Sequence, residues 1–453
     1  MNRRSVLALF GGGMAVVGLG SYHQRRRLRR WSDRNELHAA LDIEYPTVAS
    51  QTYLRPTEAH LSDALDELAE RVDAARGRWP DEEIEADEQE HMAHSDRQFE
   101  RANATLEEVE EQRGSFGELS ATERLDVLDT LRLGLGSAEQ AVALADLQRG
   151  ERTRNDVIAN LEALRDEYEA ALDSLPYIAP DFSWAVMAYG ELNEWLDDVR
   201  GSIRMGERYV HGEGVVDTIE PQYAASRAAS ARARLADIDQ FRDSLEEMAQ
   251  EDTTADSLEQ KLDDAYVRLE ERTDTKIGQV DFQAAGGTEG VRSHAQDILI
   301  QEIAGIHGGP GDAYEEAYLA LAVRRQVEHH AYARILPVFE GVPSARQPRG
   351  NIPALDTTGA DVRDAKDRAT GALEDRLAAD RNDPLVRHLC ATFVVKLEWQ
   401  ERRLERHLDE INEHASDVWA VELERTRLRY REVEELAAVI PDAIAAAADG
   451  VAS

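Results

Sequence analysis

The sequence predicts an all-α protein, built of antiparallel helical hairpins or a bundle and completed by a long coiled-coil-like C-terminal helix. Apolar residues recur at intervals of three and four through most of the chain, which is helical spacing. No segment shows the alternation of a half-buried strand. Helix start signals precede several periodic stretches. The clearest is Ser120-Ala121-Thr122-Glu123, which has the pattern of a capping box.

Proline and glycine signals divide the chain after residue 31 into six segments. In order they are a connector (32–56), a first helical bundle (57–176), a second helical bundle (181–336), a proline-rich linker (337–358), a helical hairpin with the long C-terminal helix (359–440) and a tail (441–453).

The first bundle is predicted to hold four helices, each with one apolar stripe. The first helix follows Thr57 and carries Leu61, Leu65, Leu68 and Val72. Pro80 opens the second, which is very acidic, because proline suits the first helical turn. The capping box begins the third. The first helix ends near Gly77, and the second covers 81–113. The third runs from the capping box to Gly150, and the fourth from there to Pro176.

The second bundle is predicted to hold helices over 181–210, 222–250, 255–280, 288–304 and 312–336. Trp184 and Trp195 fall on one face of the first of these. The glycine-rich loop 305–311 joins the last two helices. Together with Asp312, Tyr314, His329 and His330 it suggests a small ligand pocket, although a tight turn between helices explains the glycines equally well.

The final segment is predicted to contain a helix near 360–380 and a very long one from Pro384 towards Ile440. Residues at intervals of seven predict a coiled-coil-like seam along the long helix. They are Leu397, Leu404, Ile411 and Val418, with Leu408 and Ala415 beside them.

The first 31 residues decide the expected compartment. Asn2-Arg3-Arg4-Ser5-Val6-Leu7 resembles the twin-arginine export signal, with Arg3 and Arg4 as its two arginines, and a glycine-rich apolar run follows. The resemblance implies export, and the apolar run is marginally long enough to span a bilayer. No A-x-A-like cleavage site follows it. The five arginines between 25 and 30 favour retention on the cytoplasmic side instead.

Three topologies follow from these conflicting signals. Export with an uncleaved or weakly cleaved anchor, which leaves the body on the extracytoplasmic face, is preferred. A single-pass anchor with the body on the cytoplasmic face is the alternative, and a soluble cytoplasmic protein is the third. The sequence therefore predicts a membrane partner through residues 1–31.

The charge of the chain restricts its partners and its solvent. It carries 52 basic and 90 acidic residues, for a net charge of −38. Duplex nucleic acid is a poor partner, because binding it requires clustered Lys and Arg. Only four of the basic residues are lysines, Lys261, Lys276, Lys366 and Lys396. This composition resembles that of proteins from extreme halophiles. The resemblance implies folding in concentrated salt, where screening removes the self-repulsion.

Catalytic signatures are absent from the sequence. It contains no phosphate-binding GxxxxGK loop, no GxGxxG that fits a strand-to-helix turn, no GxSxG elbow and no HExxH helix. The prediction is a protein that is not an enzyme and needs no cofactor. Cys390 is the single cysteine and lies among apolar residues, where a buried, inert thiol is expected.

Two histidine clusters are the candidates for metal ligation. Glu88, His91 and His94 share one helical face, as do His407, Glu410 and His414. A di-iron bundle needs two Glu-x-x-His units, and Glu88 to His91 is the only one. Solvated polar faces explain both clusters better, so no metal is predicted.

The sequence therefore predicts a membrane-anchored, exported, acidic helical protein that acts as a structural or interaction module. Its amphipathic helices, above all the C-terminal one, would dock against a protein partner or a second copy. The alternative is a helical bundle that binds a metal or small ligand at one of the histidine clusters and is possibly enzymatic.

Overall fold

The computed structural model describes residues 33–48, 52–78, 89–211, 220–250, 256–282, 292–304, 309–344, 356–409 and 416–449. Almost all of the described residues are helical, which confirms the predicted all-α class. The described residues also include two short strands. β1 (Ile178–Ala179) pairs antiparallel with β2 (Asp256–Ser257).

The α-helices of the described residues are, in chain order, α1 (33–41), α2 (Glu58–Arg78), α3 (Gln89–Gln112), α4 (Ala121–Arg149), α5 (Arg154–Asp173), α6 (Phe182–His211), α7 (Glu220–Gln250), α8 (Glu259–Gly278), α9 (His294–Ile298), α10 (Pro310–Glu315), α11 (Leu319–Ile335), α12 (Gly359–Ala379), α13 (Pro384–Asp409) and α14 (Ser416–Ala448). A π-helical turn over Leu299–Ile303 continues α9. Short 3-10 turns cover Arg113–Ser115 and Leu336–Phe339.

The chain forms two compact units. The α2–α7 unit comprises residues 50–264 and 310–324. The α12–α14 unit comprises the described residues within 1–49, 265–309 and 325–453. Each unit has its own buried apolar core.

Helix α7 is central to the α2–α7 unit, where it packs against α4, α5 and α6, while α4 also contacts α2 and α3. The apolar stripe predicted for α2 is fully buried, at Leu61, Leu65, Leu68 and Val72. The predicted capping box is confirmed. The Glu123 amide donates to Ser120 Oγ at 3.3 Å, and the Ser120 amide donates to the Glu123 carboxylate at 2.7 Å.

A buried charge network links three helices of the α2–α7 unit. Asp237 on α7 lies 2.7 Å from His60 Nε2 and accepts from Arg132 Nε at 2.9 Å. Arg132 also donates to Glu67 at 2.6 Å. Burial alone would raise the pKa of Asp237, but the hydrogen bonds from Arg132 and His60 outweigh it and lower the pKa. The carboxylate therefore stays ionised inside the core.

Helices α12, α13 and α14 pack against one another in the α12–α14 unit. Two cross-helix contacts show that α13 and α14 run antiparallel. Gln400 donates to Thr426 at 2.9 Å, and Arg403 pairs with Glu422 at 3.1 Å. The prediction of a single long helix from Pro384 towards Ile440 is therefore wrong, since α13 and α14 are two antiparallel helices.

The predicted seam contributes to the core of the α12–α14 unit. Leu397, Leu404 and Leu408 are buried within this unit. Their burial explains the apolar period without a coiled-coil partner. Ile411 and Ala415 lie outside the described residues, as does the side chain of Val418.

Two further local predictions differ from the structure. The expected connector 32–56 contains α1, held by Asp33, whose Oδ1 accepts from the Gly359 amide at 2.7 Å. The helix expected over 312–336 is interrupted between α10 and α11, where Ala317 has a φ of 63°. Both features depend on tertiary contacts or on one backbone angle, which residue periodicity does not report.

The predicted linker begins with ordered structure. Phe339 in the 3-10 turn is fully buried, and the Ser344 amide donates to the Arg292 carbonyl at 2.7 Å. Residues 345–355, the rest of its proline-rich part, lie outside the described residues.

Within the described ranges, no helix combines the length and the apolar character needed to cross a membrane. Residues 1–31, the predicted signal or anchor, lie outside these ranges.

Acid is expected to destabilise the α12–α14 unit through His330. This side chain is buried on α11, and its Nδ1 lies 3.1 Å from Thr273 Oγ1. Burial, reinforced by Arg334, Arg272 and Lys276, lowers the pKa of His330 to about 4. The unfolded chain, with a pKa near 6.5, therefore binds the proton first. This histidine has no effect on stability at pH 7, and its unfavourable effect grows as pH falls from 6.5 towards 4.

The measurement is the melting temperature in concentrated salt between pH 7 and pH 4. His330→Gln is expected to flatten the decline, whereas His211→Gln, at an exposed position on α6, serves as the matched control. An equal decline in wild type and His330→Gln would contradict the expectation.

Candidate functional site

A cleft of about 360 Å³ opens beside helices α13 and α14 of the α12–α14 unit. We call it the α13–α14 cleft. Its volume falls within the range of small binding sites. Residues from both helices and from the π-helical turn line it. The lining includes Glu302, Val395, Lys396, Trp399, Gln400, Arg403, Arg425, Arg429 and Glu432.

The floor of the cleft is a network of fixed charges. Lys396 Nζ donates to Glu302 at 2.7 Å and lies 4.4 Å from the centre of the Tyr332 ring. Arg429 donates to Glu432 at 2.7 Å and to Gln301 at 2.5 Å. Because each cation is held by a carboxylate, these side chains are positioned before any ligand arrives.

The π-helical turn supplies two of these acceptors. Gln301 and Glu302 both lie within Leu299–Ile303, where the backbone departs from α-helical geometry. Such turns are rare in proteins overall, and those that do occur are often found at functional sites. Here the turn allows consecutive side chains to reach Lys396 on α13 and Arg429 on α14.

The electrostatic environment keeps Glu432 ionised. Burial would raise the pKa of Glu432, but Arg429, His294 and Lys396 outweigh it and lower the pKa to about 2. His294 Nε2 lies 3.2 Å from this carboxylate. Burial and the charge of Lys396 also lower the pKa of His329, on α11, to about 4. Neutral pH therefore leaves Glu432 charged and His329 neutral.

The rim of the cleft is apolar and exposed. Trp399 is 70% exposed, and Val395, one helical turn earlier on α13, is 53% exposed. The Arg402 guanidinium lies 6.0 Å from the centre of the Trp399 ring. Tryptophan and arginine are enriched among the residues that dominate protein interfaces. An indole left in water beside a rigid charged floor is a surface suited to binding.

The side chains of both histidine clusters lie outside the described residues. His91 and His94 lie on α3 and His407 on α13, but their side chains are outside the described residues, as are Glu88, Glu410 and His414 entirely. Among the side chains that are described, no three His, Cys, Asp or Glu residues converge on a common point that would hold a metal ion.

Other sequence candidates have ordinary places in the core. Cys390 is buried, and burial raises the pKa of its thiol to about 12, so it is unreactive. Tyr314 donates to Asp263 at 2.6 Å in the α2–α7 unit, and His330 packs against Thr273 in the other unit. Residues 305–308 of the glycine-rich loop lie outside the described residues.

The α13–α14 cleft has few signals in the sequence. Glu302, Lys396, Arg429 and Glu432 lie far apart in the chain, so only the fold brings them together. Two weak signals were present. Lys396 is one of only four lysines, and Trp399 lies off the apolar seam of its helix.

Two family models match the chain. The first, Domain of unknown function (DUF8262), matches residues 59–256, and the second, Domain of unknown function (DUF8264), matches residues 239–449. The second match includes every residue of the α13–α14 cleft. No curated protein and no solved structure matches the chain.

Proposed function

We propose that this protein is a membrane-anchored, exported interaction module of a halophile, which binds a partner protein rather than catalysing a reaction. Residues 1–31 would hold it at the membrane, and the α13–α14 cleft would receive the partner. The observation that carries the proposal is the 70% exposure of Trp399 on the rim of that cleft. A buried aromatic side chain typically removes about 150–250 Å² of surface from water. An exposed tryptophan can gain a burial of this order when a partner covers it.

The partner surface that fits this cleft is an acidic amphipathic helix of another protein. Four basic side chains and two glutamates are among the residues that line the cleft. This local balance is opposite in sign to the chain as a whole, whose net charge is −38. Carboxylates on the partner would face Arg403 and Arg425, which share the one carboxylate of Glu422 in their own unit, while an apolar side chain would cover Trp399.

The salt concentration determines how much of the binding free energy comes from charge and how much from apolar burial. In molar salt the Debye length is about 3 Å, so charges at the rim steer the partner only weakly. Burial of Trp399 and Val395 would then supply most of the affinity. Partner binding is therefore expected to survive concentrated salt and to depend on the apolar rim.

The test compares complexes of the full chain in its native membranes, solubilised in concentrated salt and sized by chromatography with light scattering. Trp399→Ser is expected to weaken the complex by about 2 kcal/mol, roughly thirtyfold. Val395→Ser should weaken it less. The matched control is Val267→Ser on α8, which replaces a side chain of similar exposure, 48%, away from the cleft.

All three replacements are at exposed positions, so the fold should tolerate them. Melting temperatures checked beside the complexes will establish this. A complex that resists Trp399→Ser as well as Val267→Ser, or a wild-type protein that runs as a monomer, would contradict the proposal. A complex made only of copies of this chain would contradict the partner named here.

A further inference from the structure

A second cleft, of about 510 Å³, lies in the α2–α7 unit between α4, α6 and α7. We call it the α4–α6–α7 cleft. Its walls carry Arg132 from α4, Asp197, Asp198 and Gly201 from α6, and Arg227 and Arg234 from α7. Its volume lies in the range of pockets that hold small molecules. It is independent of the α13–α14 cleft and of the partner proposed for it.

Two of its three arginines are already fixed. Arg132 is bound to Asp237 and Glu67 in the buried network. Arg234 donates to Asp198 at 2.6 Å and also pairs with Asp129, while its guanidinium lies 5.4 Å from the centre of the Trp195 ring. These side chains form a rigid wall and have few donors left for a ligand.

Arg227 differs from them. It is exposed, and within the described part of the chain it has no carboxylate partner. Its planar fork can donate two parallel hydrogen bonds to one carboxylate. The hydroxyl of Ser230, one turn along α7, also lines the cleft and donates to the Arg132 carbonyl at 3.1 Å, which fixes its orientation.

An acceptor for a cation lies on the α6 wall. Asp197 is half-buried, and its contact with Arg200 on the same helix is long, at 3.8 Å. The cleft thus offers one unpaired guanidinium and one loosely held carboxylate. A plain anion would be repelled by the two aspartates, and a plain cation by the three arginines. A ligand that carries one positive and one negative group can avoid both repulsions, because each group can face the side chains of opposite charge.

We propose that the α4–α6–α7 cleft binds a small zwitterion, a solute that carries a carboxylate and an ammonium group. The carboxylate binds Arg227, and the ammonium binds Asp197. Gly201 lines the same cleft and leaves space in it, because a Cβ at this position would meet no other atom within 4 Å.

Gly201 also provides the test. Gly201→Leu would place its Cβ in open space and extend a side chain into the cleft, and leucine favours a helix over glycine, so the helix should not be weakened. Gly77→Leu is the matched control. Gly77 lies on α2 in the same unit, and a Cβ there likewise meets nothing within 4 Å.

Titration calorimetry of the full chain would use three probes of equal carbon number. β-Alanine carries both charges, propionate only the carboxylate and propylamine only the ammonium. We expect β-alanine to bind at least tenfold more tightly than either single-charge probe. Arg227→Gln should weaken β-alanine at least tenfold, Gly201→Leu should abolish its binding, and Gly77→Leu should leave it unchanged.

The result that overturns the proposal is equally definite. It fails if β-alanine shows no saturable binding, if the three probes bind alike, or if Gly201→Leu binds as wild type does. None of these outcomes bears on Trp399, so the two proposals stand or fall separately.

Discussion

Glu401→Leu is expected to destabilise the α12–α14 unit by about 3 kcal/mol. Its partner, Lys366, is fully buried on α12, and Nζ of this lysine donates to Glu401 at 2.9 Å and lies 4.3 Å from the centre of the Tyr45 ring. Removing the carboxylate leaves an ammonium ion in the core with the ring as its remaining charge-stabilising neighbour. A buried charge without its counter-ion is among the most unfavourable changes a point substitution can make.

The measurement is hydrogen exchange of the α12 amides, which reports the opening of this unit alone. A loss of about 3 kcal/mol accelerates exchange on the order of a hundredfold, because each 1.4 kcal/mol is a factor of ten. The double variant Lys366→Met with Glu401→Leu should recover most of the loss, since well-packed apolar residues often replace a buried pair without cost.

A matched control comes from the same helix. Arg368 on α12 donates to Glu434 at 3.1 Å, but its side chain is 52% exposed. Glu434→Leu should therefore change exchange by less than about 1 kcal/mol. If Glu401→Leu were as mild as Glu434→Leu, the buried pair would not stabilise the unit as described.

Asp237→Asn is expected to destabilise the α2–α7 unit by about 3 to 5 kcal/mol. The substitution preserves shape and removes charge. It leaves the buried guanidinium of Arg132 with Glu67 as its ionic partner, and that glutamate is half exposed. It also turns one of the two oxygens that face Arg132 and His60 into an NH2 group, which cannot accept a hydrogen bond. Exchange of the α7 amides measures the loss.

Asp239→Asn is the control for this second prediction. It lies two residues along the same helix, is 57% exposed and pairs with Arg242 at 3.0 Å. A change within about 0.5 kcal/mol is expected there. Similar effects at both positions would mean that charge in the core matters no more than charge at the surface.

The sequence predicted those parts of the fold that have a local cause. The stripe from Leu61 to Val72 is buried because its spacing matches the helical period, and Ser120 caps α4 because its oxygen and the Glu123 carboxylate satisfy nearby amides. The predicted helix boundaries lie at proline and glycine, which also act on the backbone next to them. These signals act over a few residues and can be read in order.

The antiparallel pairing of α13 and α14 could not be predicted from the sequence. A heptad pattern shared by two antiparallel helices looks the same as one in a single helix. Leu397 and Leu404 obey the period, but they are buried by neighbours in their own unit. Periodicity reports which face is apolar, and it does not report what covers that face.

The charge networks could not be predicted for a related reason. Arg132 and Asp237 are separated by 105 positions in the chain, and Lys366 and Glu401 by 35. In a sequence with so many charged residues, nothing marks these few as buried. The cleft beside Trp399 depends equally on the fold, because the π-helical turn that supplies Glu302 comes from a distant segment.

The measurement that tests the central claim most directly is photo-crosslinking in intact cells, with a photoreactive amino acid in place of Trp399. The docking proposal predicts one dominant adduct whose crosslinked peptide is an acidic helical segment of another protein. The same amino acid in place of Val267 should give no such adduct. An absence of adducts at position 399, or identical adducts at both positions, would contradict the claim that the α13–α14 cleft is the docking surface.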